Sequence, residues 1–180
     1  VFNISYGVFM LATKYQNETN GCITNTCMQV ASNPTRIAIS CINTNFTCEL
    51  IKKSKAFNLS ILDSTCTFDT IKHFGMQSGR NVNKLENYEV NYTSNKIPYL
   101  KEQACSLLCC NVVDEKDLGS HTLFIAEIDD AIKLSSNSPL TSSDYQTKLK
   151  PKPQVYETKR IKAWRCKICG YEYMEKDLPQ

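Results

Sequence analysis

The stretch Asn20-Gly21-Cys22-Ile23-Thr24-Asn25-Thr26-Cys27-Met28-Gln29-Val30 places polar side chains where a plain core strand would not need them. It follows a run over residues 4–13, rich in aromatic and branched residues, that predicts a strand. Gln16-Asn-Glu-Thr-Asn20-Gly21 has hairpin-turn chemistry, which makes residues 22–26 the return strand. Asn33-Pro34 breaks the chain, and residues 36–42 read as a fully buried strand. A second polar stretch, Ser40-Cys-Ile-Asn43-Thr-Asn45-Phe-Thr47, runs into a helix with Thr47 as its expected N-cap and an end near Lys55. Another strand is predicted over 56–62 and a short helix over 67–74, with His73 on its surface. Strands return over 104–113 and 122–128, and a third polar stretch, Gly119-Ser-His121-Thr122-Leu-Phe, lies between them. Six or seven strands, two short helices and no βαβ alternation predict a mainly β, antiparallel barrel.

A chain of 180 residues, 42% hydrophobic and 22% charged, accommodates one domain of ordinary size plus a small appendage. Residues 1–145 form the body, residues 146–162, with Pro151 and Pro153, an exposed linker, and residues 163–180 the appendage. No window approaches 18 apolar residues, so no membrane span is expected. Residues 1–145 carry 12 Lys+Arg against 14 Asp+Glu, whereas residues 146–180 carry 9 against 4. The basic residues of the linker alternate with Leu and Pro, which reads as a solvated tether able to steer an acidic redox protein rather than a nucleic-acid surface.

Ten cysteines and five Asn-x-Ser/Thr triplets would suit a secreted, disulfide-linked chain. Against this, Cys41, Cys105, Cys109 and Cys110 sit inside apolar runs, where a free thiol behaves as a small hydrophobe. Cys166 and Cys169, two residues apart and followed by Gly170, can point at one metal ion, which argues for a reducing, cytoplasmic setting. Tetrahedral iron or zinc needs four such ligands, and no second C-x-x-C follows. The pair is therefore half a site, and the chain, which starts at Val1, reads as a fragment cut at both ends. Iron, zinc and an unliganded remnant all remain open for the pair, and a thioredoxin-like dithiol is disfavoured because no βα unit follows.

Two resemblances join these segments. Cys166-Lys-Ile-Cys169-Gly-Tyr-Glu-Tyr, followed by Asp177-Leu-Pro179, resembles the first half of a rubredoxin, a zinc-ribbon-like knuckle, and this favours iron on Cys166 and Cys169. The three polar stretches of the body, with Ser78-Gly79-Arg80 between the second and third, resemble the flavin reductase-like family of FMN-binding split barrels over roughly residues 1–140. That resemblance implies an antiparallel Greek-key split barrel that pairs as a homodimer with FMN at the seam. It implies flavin contacts from Asn25, Thr26, Cys27, Gln29, Val30, Cys41 and Ile42. Phosphate contacts are implied for Asn43, Asn45 and Thr47 at a helix N-terminus and for Ser78, Gly79 and Arg80. Family members often carry Lys where this chain has Thr44, which shifts weight to Arg80. His121 is expected to orient a nicotinamide donor or the flavin, because hydride transfer needs placement above all.

A split barrel followed by a rubredoxin knuckle resembles the high-molecular-weight rubredoxins of anaerobes. The expected function is an oxidoreductase that passes electrons from NAD(P)H through FMN to a rubredoxin-type iron, and on to a partner such as a flavodiiron protein. The alternatives are a plain flavin reductase that releases reduced FMN, and a non-enzymatic binding module.

Overall fold

The computed structural model of the chain describes residues 4–86 and 88–152, together with the backbone of 163–165 and 172–174. It divides into two units, residues 1–150 and 151–180. The first is built on a seven-stranded sheet whose neighbouring strands are all antiparallel. Its strands are β1 (Phe9–Tyr15), β2 (Glu18–Thr24), β3 (Cys27–Ser32), β4 (Thr35–Ile42), β5 (Ala56–Leu62), β8 (Ala104–Asp117) and β9 (His121–Lys133). They lie in the order β2-β1-β5-β8-β9-β4-β3. The short strands β6 (Asn91–Tyr92) and β7 (Pro98–Tyr99) pair separately. Helix α1 (Phe46–Ser54) links β4 to β5, and α2 (Phe68–Gly75) follows β5. No helix among the described residues is long and apolar enough to cross a membrane.

The period-2 geometry of a strand explains the unbroken apolar run at the start of the sheet. Phe9 and Leu11 point into the barrel with Ile39, Phe57, Leu59 and Phe124. The alternate residues Val8, Met10 and Ala12 pack in a second cluster with Leu62, Ile71, Phe74, Ile97 and Leu100. Strand β1 is thus buried on both faces, and α2 is held against the barrel by the second cluster.

Several local expectations are corrected. The first strand begins at Phe9 rather than residue 4, and the turn shrinks to Gln16-Asn17 because Glu18–Thr24 pairs with β1. Helix α1 is capped by Asn45, whose Oδ1 accepts from the Thr47 amide at 3.0 Å. Thr47 instead turns inward, where its hydroxyl accepts from Asn20 Nδ2 at 2.9 Å. Strand 36–42 is buried only in part, since Ile42 at its end is 50% exposed. Strands β8 and β9 run further than expected and are closed by a turn at Gly119, whose φ of +86° suits a residue without Cβ. His73 is not a free surface group. It is half-buried, stacks on Tyr88 and lies 2.6 Å by Nε2 from the Lys84 carbonyl. Residues 146–149, expected in the linker, belong to a helical segment made of α3 (Ser142–Asp144) and a π-turn (Tyr145–Leu149).

In the second unit, β10 (Ala163–Arg165) pairs with β11 (Glu172–Met174) as an antiparallel hairpin. Cys166 and Cys169 lie outside the described residues.

Candidate active site

The barrel has one seam where strands do not pair. Strands β2 and β3 are the two ends of the sheet, yet only Asn25 and Thr26 separate them in sequence, so the chain crosses the gap there. Pairing of β3 with β4 stops at Cys27↔Ile39, while pairing of β4 with β9 continues to Ile42↔His121. Residues 40–42 therefore have a strand partner on one side only. At this seam the Thr24 hydroxyl donates to the Ser40 carbonyl at 3.3 Å.

A cleft of about 300 Å³ opens along the seam, at the lower end of the range for small-molecule sites. Its walls are apolar, with Val8, Ile23, Ile42, Ile71 and Met76, and its polar groups come from Thr24, Asn25, Thr26, Ser40, Asn45 and His121. Three sequence segments far apart in the chain thus converge, and they bring Asn25, Thr26, Cys41, Ile42, Asn45 and His121 to one cavity. His121 starts β9, and its Nδ1 lies 2.8 Å from the Ser120 hydroxyl. An apolar slot edged by backbone groups lacking a strand partner suits a flat aromatic ring with hydrogen-bonding atoms on one rim.

The other expected residues lie elsewhere. Cys27, Gln29 and Val30 are on the edge strand β3, where the Gln29 amide donates to the Ala31 carbonyl and Val30 is 48% exposed. Asn43 braces the β8–β9 turn: its Nδ2 donates to the Gly119 carbonyl at 2.8 Å and to Asp117, and its Oδ1 accepts from Thr122. The Gly119 amide and then Asn43 hold the Asp117 carboxyl below its ordinary range. Gly79 sits so close to Asn20 that a Cβ would come within 2.2 Å of its side-chain oxygen, so its backbone seals the Asn20–Thr47 pair. The Ser78 hydroxyl accepts from the Arg80 amide, and Arg80 makes a 2.7 Å ion pair with Glu49 while lying over the Phe46 ring. Arg80 and Gly79 line a separate polar cleft with Asn81, Val82 and Tyr92.

Sequence reasoning missed several contributions to the cleft. Ser142, Tyr145 and Gln146 close it from the segment after β9, and Gly75 closes it from the end of α2. The signal for the first group was Thr141-Ser-Ser-Asp144, in which the Thr141 hydroxyl caps the Asp144 amide and starts the helical segment. Cys22 and Cys41 also line the cleft, and Cys22 was passed over within the first polar stretch. Behind Cys22, the Lys84 ammonium is buried and donates to the carbonyls of Gly21 (3.0 Å) and Phe74 (2.7 Å), and burial pulls its pKa down. The Phe74 contact places a cation at the end of α2, where the helix dipole favours it.

Residues 1–164 match the profile of the flavin reductase like domain, and the chain belongs to that family of oxidoreductases. The high molecular weight rubredoxin of Moorella thermoacetica is 28% identical over 182 residues, covering 94% of this chain and 80% of that protein. The ferric-chelate reductase (NAD(P)H) of Archaeoglobus fulgidus is 31% identical over 151 residues, covering 84% of this chain and 89% of that one. Among solved structures, flavin reductase PheA2 in its native state superposes with a TM-score of 0.63 at 27% identity, covering 77% of this chain and 85% of that one. These matches identify the sheet with its open seam as a flavin reductase-like split barrel.

Proposed function

We propose that the cleft at the seam holds FMN and that the chain is an electron-transfer flavoprotein reduced by NAD(P)H. The observation that carries this reading is the convergence of Asn25-Thr26, Cys41-Ile42-Asn45 and His121 on one cavity whose β4 wall, residues 40–42, has a strand partner on one side only. FMN, when bound, supplies acceptance of a hydride and release of electrons one at a time. The protein's part is placement. The 24–26 crossing and the 40–42 edge offer backbone and side-chain groups to the polar rim of the ring, and Ile23, Ile42 and Met76 exclude water from its faces. His121, at the lip, orients the nicotinamide donor.

The onward path in this proposal is a rubredoxin-type iron on Cys166 and Cys169, completed by ligands beyond this pair, and then an acceptor such as a flavodiiron protein. The names of the relatives from Moorella and Archaeoglobus support electron transfer of this kind. The acting unit is a homodimer. Strand β3 is an unpaired sheet edge on which Met28 (58% exposed) and Val30 present apolar side chains to solvent, a surface suited to a second copy.

The test is the visible spectrum of the protein after gel filtration without added cofactor. The expected result is a retained flavin spectrum at dimer mass, bleached by NADH or NADPH. Flavin that washes out but is turned over by NAD(P)H would replace the internal relay with a plain flavin reductase. A colourless protein that ignores added FMN would overturn the reading.

A further inference from the structure

Among the described residues, Lys84 is the only lysine or arginine that is buried, at 3% exposure. Its ammonium donates to the carbonyls of Gly21 and Phe74, and no described carboxylate lies within ion-pair distance of it. Both carbonyls border the seam cleft. Gly21 precedes Cys22-Ile23 and Phe74 precedes Gly75-Met76, and these four residues line it. No Lys, Arg, Asp or Glu is among the lining residues, so Lys84 is the full charge set directly behind the wall. It is held from the other side as well: its own carbonyl lies 2.6 Å from His73 Nε2, and His73 stacks on Tyr88. The Phe74 carbonyl, near the end of α2, needs a donor, but a neutral donor would serve. Burying a whole charge without a counter-ion is costly, and the cost falls when an opposite charge arrives nearby. Burial pulls the Lys84 pKa down, the mark of that cost.

We infer that Lys84 is a built-in counter-charge for the reduced flavin, a fixed cation that favours the cofactor after hydride uptake over the cofactor before it. This role rests on the flavin reading above. A hydride carries one proton and two electrons. The neutral ring of oxidised FMN therefore gains one negative charge, and the nicotinamide ring leaves as the cation. The attraction to Lys84 is present only after the transfer. Lys84 is not itself a lining residue, so it acts through the wall and is a positioning charge rather than a catalytic residue. A charge works at that range because the intervening backbone and side chains exclude water. Being already in place, it costs no rearrangement at the moment of transfer. The FMN phosphate is charged in both states, so it cancels when the two are compared.

The test on the full chain is the two-electron potential of bound FMN against that of free FMN, read anaerobically beside a reference dye. Wild type should bind reduced FMN at least about tenfold more tightly than oxidised FMN, which raises the potential by about 30 mV. That factor is what Coulomb's law gives for unit charges roughly 10 Å apart at a protein-like dielectric. Lys84→Met keeps the aliphatic stem without the charge, and it should lose about tenfold of that preference. Lys72→Met removes an exposed cation from the last turn of the same helix and should match the wild type. Equal potentials in wild type and Lys84→Met would overturn the counter-charge and leave Lys84 as a cap of α2, with the flavin reading intact. If Lys84→Met does not fold, the wild type decides alone. A bound potential raised by about 30 mV or more supports the role, and one at or below that of free FMN overturns it. Failure of the wild type to bind FMN in either state would overturn the flavin reading and the counter-charge together.

Discussion

The described cysteines fall into two groups that share residue type and burial but not chemistry. Cys66, Cys105 and Cys110 sit among apolar side chains, and burial pushes each thiol up, Cys66 to about 12. Cys22, Cys41 and Cys48 are equally buried, yet they share one cluster, in which Cys48 Sγ donates to the Cys41 carbonyl at 3.8 Å and the neighbouring Cys41 brings the Cys48 thiol down to about 7. Burial alone disfavours the thiolate, and a neighbouring donor favours it. What separates the groups is where the barrel is closed. Cys105 and Cys66 donate to the carbonyls of Ile61 and Thr67, and Cys110 has no hydrogen-bond partner among the described residues, so no second thiol adjoins them to offset burial. The unpaired seam instead lets side chains from β2, β4 and α1 converge.

Serine substitution breaks this comparison most directly. Cys110→Ser puts a hydroxyl into the barrel interior, where the thiol has no hydrogen-bond partner among the described residues, and should cost about 1–3 kcal/mol in urea unfolding. Cys48→Ser keeps the contact to the Cys41 carbonyl and should cost less than about 1 kcal/mol. Equal losses would show that the seam cluster is ordinary core.

The second prediction uses pH. The folded pKa of Cys48 is about 7 against a usual 9.0, so between these values the unfolded chain holds more protons at this site than the folded one. Stability from this group is present above pH 9.0 and is lost as pH falls through about 7. Wild type should therefore gain roughly 1–2 kcal/mol over Cys48→Ala between those pH values, seen as a widening gap in Tm. Cys66 has the opposite sign: its contribution falls as pH rises from 9.0 toward about 12. A pH-independent gap would mean that the cluster does not share its proton as the geometry implies.

The third and smaller effect concerns the lip of the cleft. Asn45→Ala removes the only side-chain cap of α1 and should lower stability by about 1 kcal/mol in the same unfolding assay. Because Asn45 also lines the cleft, retained FMN should fall with it, whereas Thr67→Ala, which uncaps α2 away from the cleft, should lower stability alone.

Most of the fold was legible because alternation and turn chemistry are local. The aromatic and branched run holds β1, although the strand starts later than expected, and the helix end at Lys55 and the strand over 56–62 appear as expected. Strand β3 was not legible. Met28, Gln29 and Val30 are consecutive exposed residues on a sheet edge, so the stretch lacks the alternation that marks a half-buried strand. Its polar residues read as ligand groups when part of their work is to end a sheet. Asn43 and Thr47 have structural duties that were hidden for a related reason. Both carry the chemistry of an anion site, and both are committed to partners 79 and 27 positions away, Thr122 and Asn20, which no local pattern reveals.

Arg80 gives the smallest effect and the sharpest test of what sequence can assign. In Ser78-Gly79-Arg80 the guanidinium reads as a phosphate ligand, but in the structure it pairs with Glu49 and lies over Phe46, on a polar cleft separate from the seam. Both partners of the ion pair are well exposed, so Arg80→Ala should cost less than about 1 kcal/mol of stability. With the guanidinium held by a carboxylate, FMN affinity should change less than about threefold, measured by fluorescence titration of the apoprotein. A loss of about tenfold or more would mean that Arg80 exchanges Glu49 for a phosphate. Glu49→Gln should then strengthen binding by freeing the arginine, and the two variants together separate a structural ion pair from a reserve ligand.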